Sequence, residues 1–234
     1  ADANLDLAVD GLVWGAFGTS GQRCTATSRI IVERGIHEEL LERLIAKAKT
    51  LKLGDPGLGD TQIGPVINKA AVDKILSYIA IGKEEGARLL LGGGMAETGS
   101  RGHFVQPTVF ADVTPMMRIA REEIFGPVAS VIAVDSPEEA VAVANAVDYG
   151  LSSAVYTRDV NKAFRVMRDL EAGITYINAP TTGAEVHLPF GGVKHTGNGH
   201  REAAQTAFDV FTEWKTVYVD YSDRLQRAQI DNVE

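Results

Sequence analysis

The sequence predicts an α/β fold, a mostly parallel sheet with helices on both faces, plus one C-terminal strand left over. Three observations carry this. Val128-Ala129-Ser130-Val131-Ile132-Ala133-Val134 is a near-continuous apolar run of the kind buried on both faces of a sheet. From there to Asn178 strand and helix signals alternate as β-α-β-α-β, which implies right-handed crossovers between parallel strands. The 234 residues are enough for one sizeable core, and no internal repeat or low-complexity stretch divides them.

In chain order, Leu5, Ala8, Val9, Leu12, Val13 and Phe17 recur at helical spacing, so a helix runs into the turn that carries Cys24. Arg29-Ile30-Ile31-Val32 reads as a short strand. Ile36, Leu40, Leu44, Ala48 and Leu51 mark one face of a helix that Gly54 can end. Val72, Ile75, Leu76 and Ile79 mark another, ended by Gly86. Residues 91–102 are glycine-rich and read as a surface turn before a strand over 104–110.

After the apolar run, Ser136-Pro137-Glu138-Glu139 supplies an N-cap, a proline at the first helical position and a capping-box carboxylate. A helix to Val147, a strand over 151–157, a helix after the Asp159 cap and a strand over 174–178 follow. A further helix is expected to begin near His200. Residues 211–221, rich in aromatic and β-branched side chains, predict a last strand with no later strand to pair with; it is an edge of its own sheet or a pairing strand for another subunit.

A net charge of -8 argues against a nucleic-acid footprint or a basic membrane surface, so the partner is a small molecule or another protein. One cysteine cannot form an internal disulfide, and a cytoplasmic setting is the default. No stretch approaches the ~20 apolar residues of a membrane span, and Ala1-Asp2-Ala3-Asn4 lacks the pattern of a signal peptide. His37, His103, His187, His195 and His200 have no metal-type spacing, and no metal site is expected. Neither a Gly-x-Ser-x-Gly elbow nor a phosphate loop is present.

Three segments can carry chemistry. Cys24 sits in a polar turn, Gly18-Thr19-Ser20-Gly21-Gln22-Arg23, and a cation next to a thiol favours the thiolate. Read alone, a single cysteine is more often a silent small hydrophobe. Arg121-Glu122-Glu123-Ile124-Phe125-Gly126-Pro127 precedes the buried strand; its carboxylates are either solvated or positioned for a ribose diol, with Phe125 as an apolar wall. Leu188-Pro189-Phe190-Gly191-Gly192 places an aromatic beside two glycines that let backbone approach a ligand or a neighbouring element. Gly197-Asn198-Gly199 lacks the third glycine of a dinucleotide fingerprint.

Together these segments resemble the C-terminal, catalytic half of the NAD(P)-dependent aldehyde dehydrogenase superfamily. Residues 17–26 are similar to its cysteine signature, 122–127 to its nicotinamide-side motif and 189–192 to its substrate-tunnel motif. The resemblance implies Cys24 as nucleophile, Glu123 and Phe125 at an NAD or NADP cofactor, and Phe190 at the aldehyde entrance. Thr181-Thr182-Gly183-Ala184-Glu185, Lys194-His195-Thr196-Gly197 and Tyr221-Ser222 are similar to the antiquitin-like branch, whose substrate is α-aminoadipic semialdehyde. In that case Arg23 and the backbone around Thr182, Gly183 and Ala184 meet the polar head of a semialdehyde acid. The loop Glu185-Val186-His187-Leu188 differs from that branch.

The same resemblance implies a catalytic domain over 1–205 and an oligomerisation strand with tail over 206–234, which makes the protein a homo-oligomer, dimer or tetramer. It also implies that the chain begins in mid-protein, without the cofactor domain, the glutamate that activates water or the asparagine at the oxyanion. A family position that often contacts ribose is Ala71 here. The expectation is that these residues alone do not turn over. The alternatives are a relative that passes the acyl group to coenzyme A, and a non-catalytic module that assembles dimers.

Overall fold

The computed structural model describes residues 1–225. Helix α1 (Leu5–Phe17) starts at Asn4, whose side chain accepts the Leu7 N–H, and turns Val9, Val13 and Phe17 into the core. Strand β1 (Arg29–Glu33) follows the cysteine turn, then α2 (His37–Lys49) and α3 (Lys69–Glu84). Asn68 caps α3 by accepting the Ala71 N–H, and Gly86 leaves it at φ +94°, a conformation glycine adopts without steric cost.

Strands β2 (Arg88–Leu91), β3 (Thr108–Ala111) and β4 (Val128–Val134) join β1 in a sheet of order β1-β4-β3-β2. β4 is parallel to both β1 and β3, and β2 alone is antiparallel. Successive residues of β4 feed opposite layers: Ala129 and Val131 pack with α1 and α2, whereas Val128 and Ile132 pack with α3 and the short α4 (Arg118–Arg121). That two-sided burial is why the run has no polar alternation. Its one hydroxyl, Ser130, donates to the Ile119 carbonyl at 3.2 Å.

The chain then forms α5 (Pro137–Asn145), β5 (Tyr149–Gly150), β6 (Ser152–Val155), α6 (Val160–Asp169), β7 (Ile174–Ile177), β8 (Val193–Lys194) and α7 (Thr206–Phe211). The caps are those expected: the Ser136 hydroxyl accepts the Glu139 N–H, and Asp159 accepts from Asn161 and Lys162. β6 and β7 are parallel but pair only with each other, and β5 pairs with β8. The parallel alternation therefore divides between two sheets. A cavity of about 590 Å³ lies between β1 and β6.

Several expectations are corrected. β2 was hidden because Arg88-Leu89-Leu90-Leu91 follows a helix with no turn signal but Gly86. The strand over 104–110 is shorter: Phe104 and Val105 are buried, but Val105 only bridges to Met95 and the ladder starts at Thr108. The helix near His200 is only α7, since Ala203 and Ala204 hold left-handed φ and block an earlier start. Residues 212–221 have no ladder partner among the described residues, so the last strand is not formed within one chain. The end of the tail, 226–234, lies outside the described residues. No helix among them is long and apolar enough to cross a membrane.

Candidate active site

Cys24 is reached by a series of tight turns after α1. Ser20 N–H donates to Phe17 O at 2.9 Å, Gln22 N–H to Thr19 O at 3.0 Å and Ala26 N–H to Arg23 O at 3.0 Å, so Cys24 is the second residue of the turn 23–26. The thiol is free and exposed, as is Arg23 beside it. The turn is tied to residues 64–67: the buried Ser20 hydroxyl donates to Gly64 O at 2.8 Å, and Gln22 Oε1 accepts the Ile67 N–H at 2.8 Å.

Gly21 joins this turn to the second motif. It has φ +64°, and a Cβ there would overlap the Gly126 carbonyl and crowd the Pro127 nitrogen at 2.8 Å. Gly126 is in turn covered by Ile75 of α3, whose Cδ1 would meet an added Cβ at 2.5 Å. At this point of contact, between Gly21 and Gly126, only backbone fits. Two motifs about a hundred residues apart in the chain thus touch main chain to main chain.

In the second motif the two glutamates have different environments. Arg118 donates to Glu122 from Nε at 2.8 Å and from Nη2 at 2.9 Å, and the Tyr78 hydroxyl donates at 2.8 Å. These bonds, those from Arg118 foremost, hold the Glu122 carboxyl down to about 2. Burial, with Glu122 as acceptor, raises the Tyr78 phenol. Glu123 has no hydrogen bond or ion pair among the described residues and is exposed. Ile124, 3% exposed, anchors the loop from below. Phe125 follows at φ +61° and is 41% exposed. A bulky side chain in the left-handed region costs about 1–3 kcal/mol, and such strain clusters where a side chain must be presented.

Arg23, Cys24, Glu123 and Phe125 line the 590 Å³ cavity. Glu123 and Phe125 also face a smaller cavity of about 340 Å³, together with Gln22, Ala71 and Lys74. The other expected residues lie apart. Thr182 is half-buried, and its hydroxyl is buried without a hydrogen-bond partner. Gly183 and Ala184 are exposed, and Phe190 is half-buried with its main chain bridged to Glu202 at 2.7 and 2.8 Å. None of these four lines the cavity that holds Cys24.

Sequence reasoning missed Thr181, which does line it, and Thr27, whose hydroxyl meets that of Thr181 at 2.9 Å. The available signal was Gly15, a poor helix former in the last turn of α1. Among the described residues no three His, Cys, Asp or Glu side chains gather as metal ligands would.

Comparison with known proteins adds family context. The model of the aldehyde dehydrogenase family matches residues 1–217. The α-ketoglutaric semialdehyde dehydrogenase of Bacillus subtilis (strain 168) is 44% identical over 220 residues, which are 93% of this chain and 45% of that protein. Among solved structures, an NAD-dependent aldehyde dehydrogenase from Sinorhizobium meliloti superposes with a TM-score of 0.92 at 40% identity, covering 97% of this chain and 45% of that one. A betaine aldehyde dehydrogenase from Staphylococcus aureus in complex with NAD+ superposes with a TM-score of 0.87 at 37% identity, covering 90% and 42%. The chain spans about half the length of the relatives it matches.

Proposed function

This chain belongs to the aldehyde dehydrogenase family, and from that premise we propose that it carries the cysteine chemistry of an NAD-dependent oxidation of an aldehyde to a carboxylate. The observation that supports this most directly is the packing of Gly21 on Gly126, which brings Cys24, Glu123 and Phe125 to one cavity. Cys24 Sγ bonds to the aldehyde carbon, and the thiol proton passes to the oxygen, forming a thiohemiacetal. The Cys24 N–H has no hydrogen-bond partner among the described residues and is free to donate to that oxygen as charge develops. Loss of hydride from the carbon, with the hydroxyl proton released to water, leaves a thioester on Cys24. Water then cleaves the S–C bond, returning the thiol and releasing the acid, so one hard oxidation becomes two easier steps.

When bound, NAD supplies the acceptor for that hydride. The residues present suit it: Glu123 has both carboxylate oxygens open for ribose hydroxyls, and Phe125 is presented by a strained backbone as an apolar wall. Glu122 is a poor candidate for the base that activates water, because Arg118 and Tyr78 occupy its oxygens and keep it a weak proton acceptor. Hydrolysis therefore calls on a base outside this pair. The 234 residues by themselves are expected not to cycle, which agrees with their covering about half of each relative.

The exposed Arg23 guanidinium next to the thiol favours an aldehyde that ends in a carboxylate over one that ends in a cation. A semialdehyde acid is the proposed substrate class; Thr182, the backbone of Gly183 and Ala184, and Phe190 are proposed to meet it outside the cavity that holds Cys24, at its head and at the entrance. The exposed segment 212–221, with Trp214 at 90%, Tyr218 at 93% and Tyr221 at 91% exposure, is proposed to pair with another copy of the chain. In this reading residues 1–205 form the catalytic unit and 206–234 the oligomerisation strand and tail.

Three measurements test the proposal. The purified chain, given NAD and either a semialdehyde acid or propionaldehyde, should form no steady NADH; sustained formation would show that these residues suffice. Iodoacetamide should alkylate Cys24 faster in the folded chain than in urea, and equal rates would refute an activated thiol. Light scattering should report a dimer or larger; a monomer rules out the strand pairing.

A further inference from the structure

We propose that Thr181 is a positioning residue for Cys24, acting through an ordered pair of hydroxyls that locks the turn carrying the thiol. The inference rests on the reading of Cys24 as the nucleophile and adds to it a residue from a distant part of the chain. Thr181 Oγ1 lies 2.6 Å from the Thr25 carbonyl and 2.9 Å from Thr27 Oγ1. A carbonyl only accepts, so the single Thr181 proton goes to Thr25 O, and Thr27 must donate to Thr181. The chain of donors runs one way, from Thr27 through Thr181 to the main chain one residue past Cys24.

Thr25 is the third residue of the turn 23–26 and only 6% exposed. Fixing its carbonyl fixes the Thr25–Ala26 peptide plane, the second one after Cys24, and so restricts rotation of the turn that carries the thiol. Thr27, 8% exposed, is held separately, because its N–H donates to Gly15 O at 3.0 Å. Both Thr181 Oγ1 bonds are part-buried, so losing one costs more than it would at an open surface.

Two observations outside the pair point the same way. Gly15 sits in the last turn of α1, where alanine is the better helix former. A Cβ there would overlap Thr27 Oγ1 and touch Thr181 Oγ1 at 3.6 Å, so the helix gives up a side chain where the hydroxyl pair stands. On the far side, the Ser152 hydroxyl of β6 donates to the Thr181 carbonyl at 3.0 Å. The residue that steadies the thiol turn is thereby anchored in the β6–β7 layer.

The test is the second-order rate of Cys24 alkylation by iodoacetamide in the full 234-residue chain. Thr181→Val keeps the shape and deletes the hydroxyl. It should slow alkylation about five-fold, the rate equivalent of one ordinary hydrogen bond of about 1 kcal/mol. Thr181→Ser should return the rate to within about two-fold of the unsubstituted chain. Lys194→Met serves as a stability control: Lys194 Nζ holds the carbonyls of Asn145 and Val147 at 2.6 and 3.2 Å and makes no hydrogen bond to Thr181, Thr25 or Thr27. It should lower the melting temperature and leave the alkylation rate alone. An unchanged rate in Thr181→Val, or a slow Thr181→Ser, overturns the positioning role, as does a Lys194→Met chain as slow as Thr181→Val. An unsubstituted chain no faster than its urea-unfolded form fails earlier, at the nucleophile itself, and takes the positioning role with it.

Discussion

The half of the molecule built on β1 to β4 closes its own core, whereas the part after β4 does not. Among the described residues, every buried hydrophobic side chain lies at or before Val134 except Ala163. β4 is buried along nearly its whole length, while β6 and β7 are half-buried at best, and α6 shows Val160, Phe164 and Met167 to solvent at 62%, 64% and 41%. The first region holds Cys24, Glu123 and Phe125 on a self-sufficient scaffold. The second supplies Thr181 and the loop 182–190 from a layer whose apolar surface invites cover by more polypeptide. The thiol's surroundings are thus buried on one side and open on the other.

This contrast can be broken most forcefully at Gly21. Gly21→Ala introduces both a left-handed alanine and an overlap with the Gly126 carbonyl, and should destabilise the chain by at least about 3 kcal/mol in urea unfolding. Gly183→Ala, in the open region, meets only Tyr176 Cε1 at 3.5 Å and should change stability by less than about 1 kcal/mol. Similar losses at the two glycines would erase the distinction. The fully buried Phe110 offers a second comparison: Phe110→Ala should cost about 3–5 kcal/mol, against less than about 0.5 kcal/mol for Phe164→Ala on α6.

A smaller effect follows from Glu122. Its folded pKa of about 2 lies below the ordinary carboxyl value, so the stability it adds is present above pH ~4.5 and is lost as pH falls towards 2. Glu122→Gln should flatten the acid limb of a stability-versus-pH curve in that window and leave pH 7 to 9 parallel to the parent. The least effect is expected at Tyr156, whose hydroxyl is buried without a partner and whose pKa burial pushes up to about 12. Tyr156→Phe removes an unsatisfied group and should be neutral or stabilising by about 1 kcal/mol by thermal melting. A clear loss there would mean that the seam between the two regions holds a bond to this hydroxyl.

The same contrast explains what could be read from the residues alone. α1, β1, β4, α5, α6 and β7 were legible because period, caps and apolar runs act locally, as at Ser136 and Asp159. The separation of β6 and β7 from the main sheet was not, since alternation specifies parallel neighbours without saying which strand lies beside which. At the site, Cys24, Glu123 and Phe125 announced themselves through residue type and motif. Thr181 did not, because a Thr-Thr pair in a loop has many bland uses and its partners lie more than 150 residues earlier. Glu122 and Glu123 look alike in the sequence; only Arg118 and Tyr78 tell them apart.

The contact between Gly21 and Gly126 also bears on how such a chain can change over generations. A bulky side chain can usually be accommodated by shrinking its neighbour, but here the neighbour is a main-chain carbonyl that every amino acid carries. No second-site substitution at 126 can rescue a lost glycine at 21. The cysteine turn and the 122–127 loop are therefore one heritable unit, and mutational drift must pass around both together.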